Sequence, residues 1–262
     1  MSIRIRLNPY AISKSAKALS RYLGIKRLKM AKSGSRSPGS RFVGKNTDVV
    51  INWGNGKGNI GNARQINKLY NVQLAANKLR ALEALQASGV STPTFGMSLL
   101  DFEPSQLLYG RSELWGHSGK GIYVGTKDEI PDCPLYVQAI EKVAEYRAIV
   151  VGDKVVDFKK KKKRNTPDGE EQIEHDRHIW NHSGGYIFAR NSFTVPSTAG
   201  SLGIAAVKAL GLDFGAVDII EDAEGKLYVL EVNTANGLEG QTLALMGDAI
   251  KELIKEKYNV ER

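Results

Sequence analysis

Residues 210–243 read LGLDFGAVDIIEDAEGKLYVLEVNTANGLEGQTL. This stretch predicts two apolar strands, over 214–220 and 227–233, that are joined by a tight turn. The segment 221–226 between them is polar and contains a glycine, as expected for a hairpin loop. The stretch therefore predicts a β-hairpin, and the polar residues within its apolar strands need an explanation.

Three of these polar residues are Asp218, Glu231 and Asn233. A carboxylate among Val, Ile and Leu is costly unless it is paired or bound to a cation. Glu231 and Asn233 are two residues apart, so a strand presents both on one face, and a folded hairpin lets Asp218 join them. Two carboxylates and an amide oxygen are ligands that suit Mg²⁺ together with phosphate oxygens. The alternative is that these residues are solvated acids at strand ends.

The spacing of this set resembles a known family. Asp218, the run 231–234 (EVNT) and Gly237 look like the metal-binding end of the ATP-grasp superfamily, closest to its D-alanine–D-alanine ligase and RimK-like branches. The resemblance implies an α/β N-terminal lobe followed by two α+β lobes that sandwich ATP. It also implies that the three residues hold one or two Mg²⁺ ions.

Two upstream segments extend the resemblance to the phosphates. Within a helical stretch predicted over 66–88, Asn77-Lys78 and the residues that follow resemble the entry of the ATP-grasp fold. Arg111 ends a short strand where the family usually carries a lysine on the α- and β-phosphates, and an arginine keeps that charge. The turn with Gly119 and Lys120 resembles the loop that covers the triphosphate. The alternatives are an exposed helical lysine for Lys78 and an ordinary hairpin for the turn.

The next strand resembles the hinge of the family, where backbone groups contact adenine. The resemblance assigns Gln138, Ala139 and Ile140 to this contact, although most members have an acidic residue at the position of Gln138. It also places Glu145, seven residues further on, at the ribose hydroxyls.

Basic residues follow in the next two strands. Arg147 lies in an apolar strand, which indicates a buried anion, either a structural carboxylate or phosphate and acyl-phosphate oxygens. The resemblance implies that one of the lysines 159–161 contacts the triphosphate, and Lys160 is chosen as the midpoint. The alternative is that the run 159–164 (KKKKKR) is a solvated loop or a nuclear-localisation-like patch. The resemblance also makes Asn181 a γ-phosphate contact, and Arg147 and Lys120 the catalytic cations.

Two other motifs are interpreted as alternatives to the nucleotide site. His175, His178 and His182 have the spacing of one helix face, which would allow a zinc site, but no acidic or Cys ligand completes it. The loop 54–59 (GNGKGN) lacks the Lys-Ser/Thr pair of a P-loop and is predicted to be a turn or a substrate loop.

Composition limits the class of protein. The single Cys133 excludes an internal disulfide, and no apolar run approaches the roughly 20 residues of a membrane helix, so a cytoplasmic protein without a membrane partner is expected. The formal net charge of +9 favours anionic partners, but no nucleic-acid-binding motif supports nucleic acid as one of them.

The sequence as a whole predicts a substrate lobe at 1–70, a central lobe at 71–135 and a C-terminal lobe with the metal site at 136–262. The resemblance implies an ATP-dependent ligase that joins a carboxylate to an amine through an acyl-phosphate. Ala216 and Asn236 differ from the Arg and Pro of the D-alanine ligases, which leaves the substrates open, and the basic N-terminal lobe suits a peptide or protein terminus. The alternatives are a small-molecule kinase and a basic module that binds nucleic acid or an acidic protein.

Overall fold

The computed structural model of the protein describes residues 3–11, 13–28, 42–115, 121–166 and 172–260. Its five α-helices are α1 (Lys14–Tyr22), α2 (Leu69–Ala76), α3 (Lys78–Ala87), α4 (Ala199–Ala209) and α5 (Gly240–Tyr258). The strands are β1 (Ile5–Pro9), β2 (Lys26–Arg27), β3 (Val49–Trp53), β4 (Arg64–Ile66), β5 (Phe95–Gly96), β6 (Leu108–Arg111), β7 (Ile122–Gly125), β8 (Leu135–Gln138), β9 (Lys142–Val151), β10 (Lys154–Lys163), β11 (Tyr186–Ala189), β12 (Phe214–Asp222) and β13 (Leu227–Asn233).

These strands form three sheets. The first is parallel, in the order β2-β1-β3-β4. The second, β5-β8-β6-β7, and the third, β11-β10-β9-β12-β13, are antiparallel. The predicted boundary between residues 135 and 136 lies inside β8, and the chain passes from the second sheet to the third only after Gln138.

The first and third sheets share one core. Buried residues of β1, β3 and α1 pack with residues of β9, β12 and α5, and the rings of Trp53 and Phe214 stack with their centroids 5.6 Å apart. Asn67 joins the same two parts, since its side chain donates to the carbonyl of Phe214 and accepts from the amides of Asp213 and Phe214. These contacts hold the first lobe against the interior strands β9 and β12 of the third sheet.

The predicted helix over 66–88 is two helices. Asn77 is extended, with φ −88° and ψ 113°, and its side chain accepts a hydrogen bond from the amide of Arg80, so it begins α3 as the N-cap. Ser13 caps α1 through its side chain, and Gly211 follows α4 with φ +62°.

The hairpin predicted from residues 210–243 is confirmed as β12 and β13. Asp218 lies directly opposite Glu231, and the register shifts just after this pair, where Leu230 of β13 is the extra residue of a β-bulge. Within the described part of the chain, no helix is long and apolar enough to cross a lipid bilayer.

Candidate active site

A cleft of about 790 Å³ separates the second sheet from the third. Tyr10 of the first lobe and residues of α3 also line it. Its lining includes six Lys or Arg side chains and four Asp or Glu side chains, so the cleft as a whole favours an anionic ligand.

One row of charged residues crosses the floor of the cleft. Lys159 pairs with Arg147, Arg147 with Asp218, and Asp218 with Glu231, on four neighbouring strands of the third sheet. Residues directly opposite each other in a sheet point to the same face, and all four of these residues line the cleft. The register of the sheet therefore places two cations beside two carboxylates.

Arg147 and Asp218 form a bidentate ion pair. The guanidinium Nε and Nη2 donate to the two carboxylate oxygens, each at 2.6 Å, and the aromatic ring of Phe188 lies 4.1 Å from the guanidinium carbon. Burial raises the pKa of Asp218, and the guanidinium opposes that rise. The carboxylate that the sequence assigns to a metal is thus held by an arginine.

Glu231 is bound in a similar way by Lys78. The Lys78 ammonium donates to Glu231 Oε2, while Asn233 Nδ2 donates to Oε1 at 2.7 Å. Partial burial would raise the pKa of Glu231, but Lys78 and these hydrogen bonds together lower it below its ordinary value. The amide of Lys78 also donates to the carbonyl of Leu114, which fixes the start of α3 at the edge of the cleft.

A second charged group lies one step nearer the hinge. Glu145 is only 2% exposed, and its carboxylate accepts from Lys142 at 2.9 Å and from Lys161. Burial lowers the pKa of Lys142, and Glu145 opposes this. The predicted ribose residue therefore also positions two lysines.

The lysine run divides between the two faces of β10. Lys159 and Lys161 line the cleft, whereas Lys160 points to the opposite face, where its ammonium lies 5.4 Å from the centre of the Tyr146 ring. Alternate residues of a strand face opposite sides, so the structure favours Lys159 and Lys161 over Lys160 as the lysines of the cleft. The alternation of side chains along a strand is the signal that would have separated Lys160 from its two neighbours.

The hinge residues are only partly brought to the cleft. Gln138 and Ile140 line it, but Ala139 does not, and its amide donates to the carbonyl of Leu107. Arg111 lines the opposite wall, and burial lowers its pKa. Gly119 and Lys120 lie outside the described residues.

The segment before β11 forms another wall of the cleft. Asn181 lines it and also accepts from the amide of Gly184 at 2.7 Å, which stabilises a turn. The indole of Trp180 stacks on Tyr186, with ring centroids 4.9 Å apart, and the Lys142 ammonium lies over it at 4.7 Å. The sequence prediction gave no individual role to Trp180, Phe188 or Lys142, because such side chains are equally common in ordinary packing.

The predicted zinc alternative gains no support. Among the residues described, no group of three or more His, Cys, Asp or Glu side chains could hold a metal ion. His178 and His182 line the cleft, whereas His175 packs edge-on against Tyr186. The donor set of Asp218, Glu231 and Asn233 supplies two carboxylates and an amide, which fits a hard cation that also binds phosphate oxygens.

Comparison with known proteins gives relatives of one kind. None of the protein-family models matches the chain. A curated relative from a Shewanella species, named probable alpha-L-glutamate ligase 1, is 31% identical over 194 residues, which cover 66% of this chain and 60% of the relative. The chain thus spans about three fifths of the length of the curated relatives that it matches.

Solved structures share the fold. D-alanyl-alanine synthetase A from Vibrio cholerae superimposes with a TM-score of 0.68 at 11% identity, over 99% of both chains. The ATP-grasp ligase PsnB, in a complex with a precursor variant, Mg and ADP, gives a TM-score of 0.62 at 12% identity and covers 97% of this chain and all of its own. The predicted arrangement of an α/β lobe before two α+β lobes is confirmed by these likenesses.

Proposed function

We propose that this chain is a member of the ATP-grasp superfamily and acts as an ATP-dependent ligase that joins a carboxylate to an amine. In the reaction, a substrate carboxylate oxygen attacks the γ-phosphorus and ADP leaves. The amine nitrogen then attacks the acyl carbon of the acyl-phosphate, and inorganic phosphate leaves. The observation that carries the proposal is the row of Lys159, Arg147, Asp218 and Glu231 in one cleft.

The residues of the chain divide the binding of nucleotide and metal between them. Asp218, Glu231 and Asn233 would hold Mg²⁺, which when bound neutralises phosphate charge. The phosphates would lie among cations from both walls of the cleft, namely Lys78, Arg111, Arg147, Lys159 and Lys161. Such fixed cations stabilise the charge that develops during phosphoryl transfer, so no covalent nucleophile is needed.

Glu239 would bind the amine. The other acidic residues of the cleft, Glu145, Asp218 and Glu231, each have a Lys or Arg partner. Glu239 is exposed and lines the cleft, and it forms no ion pair with the described residues. A carboxylate in this position can hold the ammonium group of an acceptor.

The relatives narrow the substrates. Those named alpha-L-glutamate ligase favour an amino acid such as glutamate, and structural neighbours solved with precursor peptides favour a peptide. The basic charge of the chain suits an acidic substrate of either kind. We therefore propose an acidic amino acid or peptide as the carboxylate substrate.

The test is ADP release with pools of carboxylates and amines, followed by mass spectrometry of the products. We expect an amide product, and Asp218→Asn should lower its rate by about 100-fold or more, because it replaces a charged metal ligand by a neutral amide. Asp153→Asn, which alters an exposed ion pair with Lys208, should leave the rate unchanged. A stable phosphorylated product formed without any amine would indicate a kinase instead, and normal turnover by Asp218→Asn would refute the site.

A further inference from the structure

We propose that Arg147 and Lys78 are exchangeable counter-ions of the metal site, an inference that rests on the proposed function. They hold the two metal-binding carboxylates while the cleft contains no nucleotide, and they move to the phosphates when a nucleotide binds. A divalent ion therefore enters the site together with the nucleotide, and the protein alone binds such an ion weakly.

Every carboxylate oxygen of Asp218 and Glu231 already accepts a hydrogen bond. Arg147 Nε and Nη2 donate hydrogen bonds to Oδ1 and Oδ2 of Asp218, at 2.6 Å each. The Lys78 ammonium donates a hydrogen bond to Oε2 of Glu231, and Asn233 Nδ2 donates one to Oε1 at 2.7 Å. Mg²⁺ needs close, nearly ideal octahedral contact with such oxygens, at about 2.0–2.1 Å, so it has to displace at least some of these donors.

The net charge of these side chains also indicates that the protein alone binds a divalent ion weakly. Two carboxylates and two basic groups leave it without net charge, and Asp218 is 4% exposed. A dication placed among them would be repelled by the guanidinium and the ammonium at short range, where little water screens the repulsion. The protein alone thus offers a divalent ion little electrostatic attraction at this position.

A polyphosphate changes this balance because it offers both basic groups another partner. A guanidinium donates to two phosphate oxygens in the same forked geometry that Arg147 uses on Asp218. The Lys78 side chain is 12% exposed and reaches Glu231 from α3 within the lining of the cleft, so an anion that enters the cleft meets its ammonium there. Each basic group that turns to phosphate frees a carboxylate for the metal.

The test measures binding of Mn²⁺ by electron paramagnetic resonance in the full chain without nucleotide. We expect Lys78→Gln and Arg147→Gln each to bind Mn²⁺ at least about fivefold more tightly than the wild type, the lower end of the coupling common between linked sites. The matched control is Arg190→Gln, which removes the partner of the buried Asp157 outside the metal set. This control should bind Mn²⁺ as the wild type does.

The proposal is wrong if the wild type binds Mn²⁺ as tightly without ADP as with it. It is also wrong if Lys78→Gln or Arg147→Gln retains its circular dichroism spectrum and melting transition but binds Mn²⁺ no more tightly than the wild type. Lys78→Gln keeps this test valid should Arg147→Gln fail to fold, since Lys78 is at the start of a helix and its loss leaves Asp218 paired. If wild type and ADP together immobilise no more Mn²⁺ than ADP alone, the metal assignment in the proposed function fails instead.

Discussion

Arg147 and Asp218 face each other on neighbouring strands, and two hydrogen bonds of 2.6 Å join the guanidinium to the carboxylate. The pair lies in the middle of the third sheet, with Lys159 on one side and Glu231 on the other. Under the proposed function the pair couples the stability of the sheet to the chemistry of the cleft, because the same groups would serve both.

Loss of Arg147 should destabilise the protein strongly. Arg147→Gln leaves the buried Asp218 carboxylate without its bidentate partner, and we expect the free energy of unfolding to fall by about 3–5 kcal/mol. Urea denaturation measures this. The double variant Arg147→Gln/Asp218→Asn should recover part of the loss, and equal stability of the single and double variants would contradict the role of the pair.

The two faces of β10 should differ in nucleotide binding. Lys161→Gln removes a cleft cation, and we expect calorimetry to show about tenfold weaker ATP binding, the loss expected for one charge-assisted hydrogen bond. Lys160→Gln, one residue away on the opposite face, is the matched control and should bind ATP as the wild type does. A larger loss in Lys160→Gln than in Lys161→Gln would reverse the assignment.

Asn67 should fix the first lobe against the third sheet. It has φ +56° and is fully buried, and its side chain makes three hydrogen bonds to the backbone of residues 213 and 214. We expect Asn67→Ala to lower the free energy of unfolding by about 2–4 kcal/mol, from lost hydrogen bonds and a strained backbone. Asn67→Gly loses only the hydrogen bonds, so it should be less destabilised in the same urea experiment.

Asp48 should make stability depend on pH in acid. Hydrogen bonds from Arg4 hold the pKa of Asp48 at about 2, below the value of about 3.9 for an unfolded chain. Because the folded pKa is the lower one, the stabilisation is complete above about pH 4 and is lost as the pH falls towards 2.

The measurement for Asp48 is the difference in urea midpoint between wild type and Asp48→Asn at several pH values. This difference should shrink as the pH falls from about 4 to about 2, as linkage requires. A difference that stays constant over this range would show that the ionised carboxylate is not the stabilising form.

Local patterns in the sequence were sufficient for the elements and for the hairpin. Two apolar runs around a polar, glycine-containing turn identified β12 and β13, because this signal depends only on neighbouring residues. The resemblance carried by Asp218, Glu231 and Asn233 extended this to the family and the fold. Asn77 shows the limit: its capping role divides a helical stretch that periodicity alone makes continuous.

The sequence by itself determined which residue types the site contains, since buried carboxylates and arginines in apolar strands need partners. Only the tertiary structure decided which partners they have. The register of four strands pairs Arg147 with Asp218, the packing of α3 brings Lys78 to Glu231 over 153 residues of chain, and the pleat of β10 separates Lys160 from Lys159 and Lys161. These choices depend on contacts between distant segments, which no local pattern encodes.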